Sequence, residues 1–139
     1  MQTTANPGDI LRGPALLFLI TWIVHSGDHI RRGTATTPDG VIWAGTLVAI
    51  LVTVGLTLIF TGHALAPATT AVVFPAVAVG VVATHFLPDW GSLSEPLLVD
   101  SQADAFAALA AGLEVVGASI LGLAGWRVMR DGGYRLRPI

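Results

Sequence analysis

The chain has 139 residues, of which 53% are hydrophobic and 12% charged, about half the charged share of an ordinary soluble domain. Nine acidic and seven basic side chains are too few for a soluble shell, and the chain is too apolar for disorder. It has no cysteine, which excludes disulfide scaffolds, cysteine-based zinc or iron–sulfur sites and CxxC redox modules, and its net charge of −2 offers no field for nucleic acid.

An integral membrane protein remains. A first span is expected at about 14–30, opened by Gly13-Pro14, because proline at the first helical position loses no hydrogen bond. Leu16 to Val24 is strongly apolar. The segment lacks an A-x-A-like cleavage site and ends in His-Ser-Gly-Asp-His-Ile-Arg-Arg, so a retained span is expected rather than a cleaved signal peptide.

Between Asp39 and Asp89 there is no charged residue. Roughly 20 apolar residues cross a hydrocarbon core, so this stretch holds two spans. They are expected at about 41–61 and 67–86, with a tight turn over Thr61 to Pro67 and a kink at Pro75. The fourth span is expected at about 103–128, with Asp100, Ser101 or Asp104 as N-cap. It is rich in Ala and Gly, and Ala118 with Gly122 forms a small-xxx-small pair that lets another helix approach.

The expected fold is all-α: one four-span membrane bundle over residues 1–139, up-down-up-down, with short loops. Both termini then share a side with Arg12, Arg127, Arg130, Arg135 and Arg137, and the positive-inside bias assigns that side to the cytoplasm. A multi-pass protein of the plasma membrane follows. Trp22, Trp43, Trp90 and Trp126 fall near span ends, as interfacial aromatics do.

Ionisable residues are costly in lipid, so they mark the candidate site. On a helix, His25 shares a face with Asp28 and His29, and Trp22 and Arg32 extend that stripe. The His-x-x-x-His spacing lets one helix give two imidazoles to one metal ion. His85 and Asp89 are also four apart, although Pro88 threatens the helix between them. The first and third spans run in the same direction, so both groups reach the outer mouth, together with Glu95, Asp100 and Asp104. His63 belongs to the inner side. Glu114 is a lone charge near a helix centre, expected to face the interior toward His25.

His25-Ser-Gly-Asp-His29 resembles the H-x-x-E-H motif of inverzincin metalloproteases, with Asp28 where that motif has Glu. The resemblance covers those five residues and serves as spacing information. His25, His29, His85 and Asp89 are the expected metal ligands, and Glu114 and Asp28 the expected acid–base residues. Imidazole with carboxylate suits a divalent metal, zinc or iron foremost. A metal-dependent enzyme for a lipid-like or apolar substrate is the leading reading, with Trp90 to Pro96 as a lid and Arg31 or Arg32 steadying an anionic headgroup. One alternative is a haem-binding electron-transfer subunit using His25 or His29 with His85. Another is a non-catalytic membrane subunit or a proton- or ion-coupled transporter, acting as a homo-oligomer or within a larger complex.

Overall fold

The computed structural model describes residues 7–33, 37–98 and 105–131. Four helices pack as a bundle: α1 (Pro7–Arg32), α2 (Asp39–Phe60), α3 (Ala66–His85) and α4 (Ala105–Asp131). Each is long and apolar enough to cross a membrane. Their outward faces carry exposed Ile20, Ile23, Leu47, Val72, Val79 and Leu123, a surface suited to hydrocarbon rather than water. The expected N-cap residues Asp100, Ser101 and Asp104, and Arg135 and Arg137, lie outside the described residues.

α1 begins at Pro7, upstream of the expected start, and Pro14 is inside it. Packing explains the difference. Leu11, Ala15 and Phe18 lie on one helical stripe and are fully buried, so burial of the early turns offsets the hydrogen bond that Pro14 withholds. Asp9 and Arg12 pair at 2.9 Å in the same turns. Further along, the stripe continues through Thr21, His25 and Asp28, all buried. One face of α1 thus changes from apolar to ionisable along its length.

α2 ends in a turn that requires glycine. Gly62 has φ 68°, and the N–H groups of Gly62 and His63 reach back to the carbonyls of Ile59 and Leu58. This pattern satisfies carbonyls that the helix end would orphan. His63 is exposed, and its Nδ1 accepts the N–H of Leu65 at 3.1 Å.

α4 is the central helix, packed extensively against α3 and α1, whereas α2 packs more thinly. Its buried stripe is Ala107, Ala110, Ala111, Glu114, Gly117, Ala118, Leu121, Gly122, Gly125 and Val128. The small residues let backbones meet. A Cβ at Gly122 would stand 2.6 Å from the ring of Pro75, and one at Gly125 would stand 2.8 Å from the backbone of Ala71. The Ala118/Gly122 pair therefore serves a contact inside the bundle, and α3 runs on through Pro75 against the gap that Gly122 leaves.

These contacts also set directions. Gly125 meets Thr70 while Gly112 lies by Phe86, so α3 and α4 are antiparallel. Gly117 meets Phe18 and Thr21 while Glu114 meets His25, so α1 and α4 are antiparallel too. α1 and α3 are therefore parallel. Phe18 and Phe74 make an edge-to-face pair with centroids 4.8 Å apart, a geometry worth about 0.5–1.5 kcal/mol beyond area burial.

Candidate metal centre

Because α1 and α3 are parallel, their C-terminal ends lie side by side. His25 and His29, one turn apart on α1, meet His85 from the last residue of α3. One potential ligand atom from each imidazole falls within 4.8 Å of the others. The ring centroids are 4.9 Å apart for His25–His29, 5.0 Å for His25–His85 and 5.5 Å for His29–His85. His25 and His85 are buried and His29 is half-buried.

Two of the rings, His25 and His85, have an oxygen partner at Nδ1. His25 Nδ1 hydrogen-bonds the Glu114 carboxylate, which the small-residue stripe of α4 carries into the bundle interior. His85 Nδ1 lies 3.2 Å from the backbone carbonyl of Glu95. His29 Nδ1 has two competing neighbours, Arg32 Nη2 at 3.3 Å and Glu95 Oε2 at 3.7 Å. For His29 to ligate through Nε2, its Nδ1 must carry the proton and turn it toward Glu95 Oε2, which has no hydrogen-bond partner. His25 Nε2 is likewise buried and has no hydrogen-bond partner among the described residues. A buried ring nitrogen left in that state is costly, and a metal ion would satisfy it.

The segment after α3 completes the site. Pro88 disfavours helix in the residue before it, and α3 stops at His85. The chain then reverses through Gly91, whose φ is 127°, and returns along the helix end. The N–H of Glu95 donates to the carbonyl of Thr84, and the N–H of Leu97 donates to that of His85. Ser94, Glu95 and Leu97 are buried by this return. Arg32 then joins two elements: Nη1 bonds Glu95 Oε1 at 2.6 Å and Nε bonds Asp28 Oδ2 at 2.9 Å.

Two expected site residues are not brought to the imidazoles. Asp89 lies beyond the helix end, exposed, and its Oδ1 accepts the N–H of Gly91 at 3.0 Å. The four-residue spacing to His85 fails because the helix has already ended. Asp28 is buried, but Oδ1 is held by Arg31 and Oδ2 by Arg32, and it does not line the adjoining cavity. Its shared stripe with His25 turned into an ion-pair network instead.

Two contributions were not foreseen. Arg32 is a part-buried organiser of the site, with its side chain 11% exposed. Its three- and four-residue spacings from His29 and Asp28 carried that signal. Glu95 acts through its backbone carbonyl as well as its carboxylate, and only the path of the loop reveals that. Trp22, expected at the interface, is half-buried against the core and lines the cavity.

That cavity, about 440 Å³, lies beside the histidines between α1, α2 and α3. His25, His29, His85 and Glu114 form its polar wall, and apolar residues of all three helices form most of the remainder.

No protein-family model matches the chain, and neither the curated proteins nor the solved structures compared with it give a match.

Proposed function

We propose that the chain is a membrane metalloprotein in which His25, His29 and His85 hold one divalent ion, zinc or iron, through their Nε2 atoms. The observation that carries this reading is the convergence of the three imidazoles, two of which, His25 and His85, have oxygen partners at Nδ1. Metal-bound histidines commonly use the other ring N–H in this way, which fixes the tautomer. Three imidazoles leave a fourth position open, the arrangement in which a divalent ion polarises a carbonyl or activates water. The cavity beside it supports a metal-dependent enzyme acting on an apolar substrate. Glu114 positions His25 in this scheme, and Asp28 positions Arg32.

The edge-to-face packing of the His25 and His85 rings, with centroids 5.0 Å apart, favours a compact ion over haem, whose macrocycle separates its axial imidazoles onto opposite faces. The arginine distribution supports an outward-facing site and cytoplasmic termini, in a plasma membrane.

Elemental analysis of protein purified without added metal tests the reading. One zinc or iron per chain is expected, lost in both His25→Ala and His85→Ala. A folded wild-type chain that takes up neither ion overturns it.

A further inference from the structure

We infer that the cavity binds the single apolar chain of a membrane amphiphile, admitted sideways from the bilayer past the flank of α2, with its polar end at the histidines. The polar-end assignment rests on the metal reading above; the chain site does not.

The burial pattern of α2 is the first observation. Val41 is buried near its start, and Val52, Gly55, Leu56 and Ile59 are buried toward its end. None of residues 42–51 is buried. Over nearly three turns of this apolar helix no side chain is fully buried, and the cavity lies against that stretch: Ile42, Gly45, Val48 and Ala49 line it from α2. Small residues keep it open from both sides. A Cβ added at Gly45, or at Gly80 across the cavity on α3, would meet nothing within 4 Å.

The second observation is what packs beside the polar end of the cavity. The segment after α3 lies against the helix ends there. Ser94, Glu95 and Leu97 are buried, Arg32 clamps Glu95, and the backbone of Ser92 presses on Gly40 at the start of α2. The residues that both line the cavity and reach the surface are Ile42, Gly45 and Thr46 on α2, with Ile30 of α1 and Gly80 of α3 to either side, all around the flank of α2. That flank belongs to the apolar surface of the spans.

An occupant must then match an apolar channel ending in three imidazoles and a carboxylate, and arrive through hydrocarbon. An amphiphile of the fatty-acyl kind does both. A volume of about 440 Å³ is at the low end of the roughly 300–1,000 Å³ range of small-molecule sites, which suits one chain rather than the paired chains of a phospholipid.

The test uses the purified full chain in detergent and a palmitate analogue carrying a diazirine in its chain. After illumination, adducts are mapped by peptide mass spectrometry, with and without excess palmitate. One competed adduct per chain is expected, on a cavity-lining position of α2 or α3: Ile42, Val48, Ala49, Val77 or Val81. Gly45→Phe and Ala49→Trp should each cut it by about tenfold or more, because filling the site removes the apolar burial that holds the chain. Gly13→Phe, at an exposed position where an added Cβ also meets nothing, should leave it unchanged. Adducts that palmitate does not compete, or that fall on lipid-facing positions such as Leu47 and Val72 alone, overturn the inference, whether or not a variant folds. Metal content of the same sample separates the two readings. A competed adduct on metal-free protein removes the metal and keeps the chain site; an uncompeted adduct on metal-loaded protein does the reverse.

Discussion

His25 and Glu114 are 89 residues apart in sequence and share a hydrogen bond in the bundle interior. Glu114 lies about 13 Å along α4 from Ala105, at 1.5 Å of rise per residue. A lone carboxylate at that depth needs a partner, and the imidazole N–H supplies one.

Glu114→Gln keeps an acceptor for His25 Nδ1 but removes the carboxylate. Loss of such a partner lowers metal affinity by about 10–100-fold. Gln should fall near the lower bound and Glu114→Ala near the upper, measured by competition with a chromophoric chelator. Equal affinity in all three proteins would remove Glu114 from the site.

Arg31 and Arg32 both pair with Asp28 but should differ in weight. Arg32→Met leaves Glu95 and one oxygen of Asp28 uncompensated in a buried setting, a loss of about 3–5 kcal/mol by analogy with broken buried pairs. Arg31, about half exposed at its side chain, should cost about 1 kcal/mol or less on the same change. Denaturation of the two variants in mild detergent gives the comparison.

Gly122→Leu should damage the bundle itself. The added side chain drives into Pro75, and overpacking of this kind costs about 1–3 kcal/mol or more. The expected result is a lower unfolding temperature with unchanged oligomeric mass. A change of mass with unchanged stability would instead make this face an interface between copies.

Asp89→Asn should change neither metal content nor stability beyond about 0.5 kcal/mol, as for exposed positions elsewhere. Asn can still accept the N–H of Gly91. Loss of metal in this variant would return Asp89 to the ligand set.

Much of this architecture is legible in the sequence because membrane constraints are coarse. The charge-free run from 40 to 88 and its polar middle announce two helices and a turn. The pairing of His25 with His29 follows from helical periodicity, and their meeting with His85 follows from two helices running the same way. The placement of Asp89 away from the imidazoles is not legible, because periodicity says nothing once Pro88 has turned the chain. The pairing of Asp28 with Arg31 and Arg32 is not legible either, because spacing gives a face but not the choice between imidazole and guanidinium on that face. The part played by Glu95 depends on the backbone path of residues 86–97, which no side-chain pattern encodes.

Glu95 carries one further consequence. Its carbonyl faces His85, its carboxylate faces His29 and Arg32, and its N–H ties the segment to α3. Exposing the imidazoles to water therefore means breaking the bonds that orient them. Solvent admission and ion retention become a single linked equilibrium: an ion bound beneath would slow amide exchange at Glu95 and Leu97, and whatever lifts that segment would raise the rate of ion release.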